Sequence, residues 1–411
     1  MCRVVVTGMG VISPIGNTIG SFWENLKNGV CGIDHIARFD SSRIAVSLDA
    51  EVKDFEPKQY YTAIQDIRKS DLYMQYAMGA AKQAVEQSGI LTDDLDRERF
   101  GVYVGSGIGG INTTIRETLK MEDKGPSAVS PFFVPMMISN MAAGAISIRF
   151  GAKGPTLPIV TACATSTHTI GEAYRTIKHG YADAIIAGGS EASINELAMA
   201  GFINCQALSL SDDPNAGSLP FDKRRGGFVM GEGAGIVVLE EYEHAKKRGA
   251  NIIAEVVGYG NTADAYHITA PDPDGDGAVR AIRDAVREAN ITENDEVYVN
   301  AHGTGTHLND VMETKALKKV FGYNAYGLHI SSTKSMTGHM LGATGAVEAI
   351  ASLLALSEGV VPPTINYREP DEECDLNYTP NKAVKANLSC AISTSLGFGG
   401  HNACIAFRKA Q

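Results

Sequence analysis

Apolar positions along the chain follow two alternating rhythms. Short runs at Val4–Val6, Gly101–Val104, Ala184–Ala187 and Gly235–Leu239 are apolar or small throughout, the pattern of strands buried on both faces. Longer segments between them repeat apolar positions three and four apart, as helices do. The alternation predicts an α/β fold with sheets buried between helices. "EEYEHAKKRGA" reads as a helix closing at Gly249, after which "IIAEVVGYG" starts a new strand. The chain therefore divides near residue 250, into 1–250 and 251–411. No Pro- or Ser-rich linker marks the division, so the two parts are expected to pack as one body.

The second part echoes the first. "PIVTACATSTHTIGEAYRTIKHG" reads as an apolar strand, a turn of small residues and a helix with Ile170, Ala173, Tyr174 and Ile177 on one face and Gly180 near its end. "LHISSTKSMTGHMLGATGAVEAIASLLALSEG" repeats the plan, with Lys334 and His339 in the turn, Val347, Ile350 and Leu354 in helical register, and Gly359 near the end. Two such units face to face would bring Cys163 and His339 to a shared cleft.

The 411 residues are 44% hydrophobic and carry a net charge of −11. This is a globular composition that disfavours nucleic acid and anionic membrane as general partners, since both are bound by clustered Lys and Arg. Screening over about 8–10 Å still lets a local basic patch, such as Arg68 with Lys69 or "DKRR" at 222–225, meet an acidic partner. The opening "MCRVVVTGMG" is strand-like, without a basic n-region and apolar h-region, and no run approaches a bilayer-spanning length, so a cytoplasmic protein is expected. Seven cysteines (Cys2, Cys31, Cys163, Cys205, Cys374, Cys390, Cys404) are scattered, odd in number and without a C-x-x-C pair, which argues against disulfides and a zinc cage.

Cys163, in "TACATSTHTIGEA", stands at or just before a helix N-terminus, where free N–H groups and the helix dipole favour a thiolate. Its neighbours Ala162, Ala164, Thr165 and Ser166 leave room for a carbonyl. By position alone, a nucleophile and a buried apolar filler stand equal. His302 in "VNAHGTGTHLND" and His339 in "STKSMTGHMLGATG" each follow a strand among small residues, and two imidazoles with one thiol form a constellation where a lone histidine does not. The interval from Cys163 to His302 is also that of papain-like hydrolases, but "TACATS" lacks their local pattern.

Other motifs compete. "GSGIGG" at 105–110 fits G-x-G-x-x-G after a strand, but no clear helix and no ribose-binding acid follow, so a dinucleotide site is the minority reading. "DPDGDG" at 272–277 begins like a calcium loop, yet Arg283 stands where a bidentate Glu is required, and a solvated turn is preferred. His302, His307 and Asp310 lack H-E-x-x-H spacing, and a metal-free reading is preferred. "STSLGFGGHNA" at 393–403 is either a tight hairpin or a mobile loop whose N–H groups serve an oxyanion.

In their order and spacing, "TACATSTHTIGEA", "NAHGTGT", "STKSMTGHMLGATG" and "GFGGHN" resemble the β-ketoacyl-acyl-carrier-protein synthases, the type II elongating condensing enzymes of fatty-acid synthesis. "RVVVTGMGVISPIGN", "SPFFVPMMISNMAAG" and "LPFDKRRGGFVMGEGAG" extend the resemblance over nearly the whole chain. It implies a thiolase-like α/β fold, two related halves in α-β-α-β-α layers, usually a homodimer. The first half would carry the nucleophile and the second the two histidines. It also implies decarboxylative condensation of an acyl group with malonyl-acyl-carrier protein, giving 3-oxoacyl-acyl-carrier protein and CO2. The partner is then acyl carrier protein, with no cofactor or metal beyond the phosphopantetheine the carrier bears.

Carried over by position, Cys163 matches the acyl-accepting nucleophile, and His302 and His339 match the histidines that act on malonyl-carrier protein. Lys334 and Glu348 match supporting positions near His339, and Asp310 a polar position after the first histidine loop. Thr304 and Thr306 match pantetheine contacts, Phe398 the gate beside the nucleophile, and Ile108 a wall of the acyl pocket. Phe133 matches a pocket residue near the dimer interface, and Phe202 a further substrate contact. Thr394 departs from the family's usual Asn. Ser127, Ala128 and Gln206 stand where some relatives carry basic residues, so carrier docking is expected at Arg68, Lys69 and Lys124. A polyketide ketosynthase shares the motifs. A degradative thiolase would need a second active cysteine, which Cys390, outside a C-x-G, does not supply, and a non-catalytic acyl-binding, chain-length subunit would lack Cys163.

Overall fold

The computed structural model describes residues 2–410. The apolar runs form β1 (Val4–Ile12), β2 (Phe100–Gly105), β3 (Thr156–Leu157), β4 (Ala184–Glu191) and β5 (Gly233–Glu241) in the first part of the chain. The second part supplies β6 (Ala254–Ala263), β7 (Val297–Asn300), β8 (His329–Ser331), β9 (Cys390–Gly397) and β10 (His401–Arg408). Together they make one sheet in the order β8-β7-β9-β10-β6-β1-β5-β4-β2-β3. Cut between β6 and β1, the two sides have the same order with strand numbers offset by five. Their pairing senses also agree: β2 runs parallel to β3 and β4 while β5 is antiparallel to β4 and β1, and β7, β8, β9, β10 and β6 repeat this. The halves join where Val4–Val6 pair antiparallel with Ala254–Val256.

The main helices are α1 (Leu72–Ser88), α2 (Ile111–Lys124), α3 (Met141–Phe150), α4 (Thr165–Lys178), α5 (Glu196–Asn204), α6 (Asp276–Glu288), α7 (His307–Phe321) and α8 (Thr344–Glu358). Because successive side chains of a strand point to opposite faces, each half of the sheet feeds two cores. Val102, Val104, Ile236 and Val238 pack outward with α1 and α3, while Tyr103, Val237 and Leu239 pack inward. On β10, Cys404 and Ala406 pack outward with α6 and α7, and Ala403, Ile405 and Phe407 inward. The inward residues of both halves meet on α4 and α8, which form the middle layer. The layering is α-β-α-β-α, the thiolase-like plan.

The middle helices differ in how they are enclosed. Ile170, Ala173, Tyr174 and Ile177 are buried on α4 as expected. On α8 burial goes all the way round, Ser352 and Glu348 included, because sheet lies on both sides of it. Leu341–Glu358 thereby reaches the length and mean hydropathy (18 residues, 1.3) of a bilayer-crossing helix, correcting the sequence expectation that no run approaches that length, yet 89% of it is buried inside the fold. Two local expectations also change. Pro158–Val160 is not strand: β3 is a two-residue edge strand paired on one side only, and Val160 beyond it is 49% exposed. A helix, α2, does follow "GSGIGG".

Candidate active site

Cys163 lies in a single 3-10 turn, Ala162–Ala164, that runs into α4. Ala162 has φ +51°, a left-handed conformation costly for a residue with a Cβ. At the equivalent place in the other half, Leu341 opens the 3-10 turn before α8 with φ +45°. The duplication thus extends to a strained turn in each half, and the two turns flank one cavity of about 430 Å³ lined by Cys163, His302 and His339.

His302 follows β7 where the chain turns through Gly303 and Gly305, both with positive φ. A Cβ on Gly303 would stand 2.6 Å from the Ser332 Cβ, so only glycine fits this bend. The second imidazole is pinned through its backbone: His339 N–H donates to Val229 O at 2.7 Å, and His339 O accepts from Gly231 N–H at 2.9 Å. The two rings meet edge to face with centroids 5.4 Å apart, and Phe228 covers His339 at 5.0 Å. His339 Nδ1 shares a 3.0 Å hydrogen bond with Thr344 Oγ1, whereas His339 Nε2 and His302 Nδ1 are buried without a hydrogen-bond partner. Burial first, then the Lys334 ammonium, holds both imidazoles well below the usual histidine range. Both are neutral at physiological pH, each keeping one N–H to donate.

Lys334, fully buried, donates from Nζ to His302 O at 2.5 Å and to Glu348 Oε1 at 2.6 Å. Burial pushes Glu348 up to about 7 against the pull of Lys334. Asp310, at the start of α7, accepts from Phe221 N–H at 2.7 Å and Gly305 N–H at 3.3 Å, bracing the His302 loop from below. Burial raises it to about 6. Thr304 and Thr306 line the cavity with their hydroxyls 2.9 Å apart. Phe398 lines it opposite Phe202 of α5, centroids 6.2 Å apart. "GFGG" is the tip of the β9–β10 hairpin, with Gly397 opposite His401, and Gly397, Phe398 and Gly400 line the cavity.

The remaining candidates lie elsewhere. Ile108, on the loop before α2, and Phe133, opening a short helix Phe133–Met137, do not line this cavity. Arg68, Lys69 and Lys124 are exposed, Lys69 lying 5.1 Å over the Phe132 ring and Lys124 3.9 Å from Asp123. Among the described residues, no group of three or more His, Cys, Asp or Glu could hold a metal ion, and "DPDGDG" forms the turn leading into α6, with Asp272 accepting the Asp274 N–H.

Sequence reasoning passed over two buried carboxylates. Glu313 accepts from His302 N–H and Gly303 N–H, both at 2.7 Å, and from the Thr394 hydroxyl at 2.6 Å. Thr394 in turn accepts from His302 N–H at 3.0 Å, so the residue that departs from the family pattern is a short bridge fixing the histidine loop. Glu191, closing β4, accepts from Ser106 Oγ, Gly107 N–H, Ile108 N–H, Ser193 Oγ and Gly342 N–H at 2.9–3.3 Å. The group cradled by "GSGIGG" is the protein's own Glu191 carboxyl, which burial raises to about 7. Because the Gly107 and Ile108 N–H groups are taken up by it, this loop, though followed by a helix, does not offer them to a dinucleotide phosphate. A charge ending the apolar run "AIIAGGSE" was the available signal.

At Cys163 itself burial pushes the thiol up to about 12, against Lys334 and the backbone N–H groups of Phe398 and Cys163, which favour the anion. The resting group is a thiol, not the thiolate expected from the helix terminus, because desolvation outweighs the dipole here. Alkylation of Cys163 by iodoacetamide is therefore expected to accelerate continuously from pH 6 to about 8.5, following the thiolate fraction. A plateau below about pH 7.5 would show an acidic thiol instead.

Residues 1–245 match the family model described as the N-terminal domain of β-ketoacyl synthase, and residues 253–368 match that of its C-terminal domain. The 3-oxoacyl-[acyl-carrier-protein] synthase 2 of Staphylococcus aureus strain N315 is 51% identical over 407 residues, 99% of this chain and 98% of that protein. A β-ketoacyl synthase from Burkholderia phymatum superposes with a TM-score of 0.92 at 34% identity, covering 100% of both chains. A type II polyketide ketosynthase, solved in complex with its acyl-carrier protein and bound to a hexaketide, superposes at 0.93 with 34% identity over 100% of both chains.

Proposed function

The chain belongs to the β-ketoacyl synthase family, and from that membership and the geometry above we propose how its residues carry out the family's condensation. It is a 3-oxoacyl-acyl-carrier-protein synthase of fatty-acid elongation, an acyltransferase whose partner is acyl carrier protein. Identity of 51% to elongation synthases, against 34% to the polyketide ketosynthase, favours that substrate class. The observation that carries the reading is one cavity lined by a thiol and two neutral imidazoles.

In the first half-reaction Cys163 gives up its proton and attacks the acyl thioester carbonyl, while N–H groups of Cys163 and Phe398 hold the oxyanion. The carrier leaves as its thiol. Malonyl-carrier protein then binds, with Thr304 and Thr306 along its pantetheine arm. The bond to the carboxylate breaks, CO2 departs, and the electron pair moves onto the thioester oxygen. With the Thr344 hydroxyl donating to Nδ1, the His339 proton sits on Nε2, facing that oxygen beside His302. Two neutral donors suit an enolate, whereas a hydrolase needs one imidazole as base. The carbanion attacks the acyl-Cys163 carbonyl and expels the Cys163 sulfur as a thiolate, which takes a proton from solvent to restore the thiol. Lys334, Glu348, Glu313, Asp310 and Thr394 act by holding the histidine loops. The condensation uses no metal or cofactor beyond the phosphopantetheine of the carrier, and a free Cys163 thiol suits the reducing cytoplasm.

The segment 132–160 exposes Phe132, Val134, Ile148, Leu157 and Val160 beside the edge strand β3, apolar surface that fits a second copy in a homodimer. Phe133 on the same segment then reaches the partner's acyl pocket, with Ile108 as a wall of its own. Carrier docking falls to Arg68, Lys69 and Lys124. Reversing Arg68 and Lys69 to Glu is expected to raise KM for both carrier substrates several-fold with kcat unchanged, most at low ionic strength. An unchanged KM contradicts that docking site. The overall reading is tested by supplying acyl- and malonyl-carrier protein to the purified protein: 3-oxoacyl-carrier protein and CO2 are expected, and free fatty acid alone would contradict it.

A further inference from the structure

His168 is a buried titratable group with no part in the chemistry above. It stands on α4 five residues after Cys163, 2% exposed, and its side chain reaches back toward the helix N-terminus as helical side chains do. Its Nδ1 shares a 2.7 Å hydrogen bond with Thr161 Oγ1. The nucleophile turn hangs from Thr161. Its N–H donates to Thr165 Oγ1 at 2.9 Å, and its carbonyl accepts from Ala164 N–H at 3.0 Å. Directly after it Ala162 takes its left-handed φ of +51°, a conformation that persists only where its surroundings impose it.

The other side of His168 faces the glycine-rich hairpin. Its ring meets those of His401 and Tyr259 edge-on at 6.3 and 6.2 Å. His401 is the register partner of Gly397, and a Cβ on Gly397 would stand 2.8 Å from Thr161 O and 3.2 Å from Cys163 N. Tyr259 is itself fixed: a Cβ on Gly171 would fall 2.2 Å from its ring, so only glycine gives it room, and the Arg175 guanidinium covers it at 4.5 Å. Burial, then His401, lowers His168 to about 4, with the Asn402 backbone and Asn261 opposing and Arg175 assisting. The ring is thus an uncharged wedge between the two segments that carry the N–H groups directed at the Cys163 sulfur.

Resting on the function proposed above, we infer that His168 is a positioning residue for acyl transfer, holding the nucleophile turn through Thr161 and the Phe398 hairpin through His401 so that Cys163 and its oxyanion donors face the thioester together.

Three single variants and the double variant His168→Leu with Thr161→Val test this in the full-length protein. His168→Leu removes the bond, Thr161→Val removes it from the other end with little change in buried volume, and His168→Asn keeps a polar atom where Nδ1 lies. Pre-steady-state acylation of Cys163 by acyl-carrier protein is expected to slow on the order of 10- to 100-fold in the first two and to recover most of that loss in the Asn variant. Decarboxylation of malonyl-carrier protein, which the reading assigns to His302 and His339, should stay within about threefold of wild type. The double variant should be no slower than the worse single one, as two ends of one interaction require. Parallel loss of both activities, unchanged acylation in both single variants, no recovery with Asn, or an additive double variant each overturns the inference. Wild type that forms no adduct on Cys163 refutes instead the function on which it rests, so the two failures are distinct.

Discussion

Replacing His339 with alanine is expected to lower condensation about 100- to 1,000-fold while Cys163 is still acylated at close to the wild-type rate. The reason lies in what the ring touches. His339 Nε2 is buried with no partner, its Nδ1 is committed to Thr344, and its ring stands 5.4 Å from His302. Leaving a buried polar atom unpartnered is costly, and in the proposed reaction that cost is recovered when a thioester oxygen gathers charge. In the proposed mechanism acylation draws on N–H groups of a different turn and has no use for this donor. Single-turnover mass spectrometry separates the two steps, and equal loss in both would mean that His339 supports the cavity as a whole.

The second large effect is expected on stability. Lys334→Met leaves Glu348 as a buried carboxylate with neither oxygen paired, since Glu348 Oε2 is already without a partner. Breaking a buried ion pair by removing one member costs about 3–5 kcal/mol. Its pH dependence has a definite sign. Glu348 is raised to about 7 in the folded protein, above its unfolded value, so its contribution is present in full below the unfolded pKa and is lost as pH rises through the folded one. Without Lys334 the folded pKa climbs further. The deficit of the variant in urea unfolding should therefore be larger at pH 8 than at pH 5.5, and Lys334→Met with Glu348→Gln should recover part of it. A deficit independent of pH would place the loss in packing rather than in the stranded charge. The variant also frees the His302 carbonyl, so condensation should fall even where the protein remains folded.

Much of the fold was legible because the chain is locally consistent. Each half alternates apolar runs with helical spacing, and the echo between the segments around Cys163 and His339 reappears as the same strand order and the same strained turn, Ala162 and Leu341. What the sequence concealed is three-dimensional. The charge ending "AIIAGGSEA" marks Glu191 as unusual but does not name its partners, the N–H groups of Gly107 and Gly342, 84 and 151 residues away. The place of Thr394 between Glu313 and His302 N–H likewise depends on β9 lying beside β7. The thiolate expectation failed for a related reason: a helix terminus can be read from residue types, but the desolvation that opposes it comes from both halves closing over Cys163. A helix buried on all sides, α8, reads in sequence much as a membrane span does.

The central claim is that one thiol and two imidazoles serve a single thioester cavity in two successive steps. Enzyme first acylated by acyl-carrier protein, freed of the carrier and then mixed with malonyl-carrier protein labelled in its free carboxylate tests this in one turnover. Loss of the acyl mass from Cys163, release of labelled CO2 and appearance of 3-oxoacyl-carrier protein should be equal in amount. Labelled CO2 without loss of the acyl group, or an acyl mass on a residue other than Cys163, would contradict it.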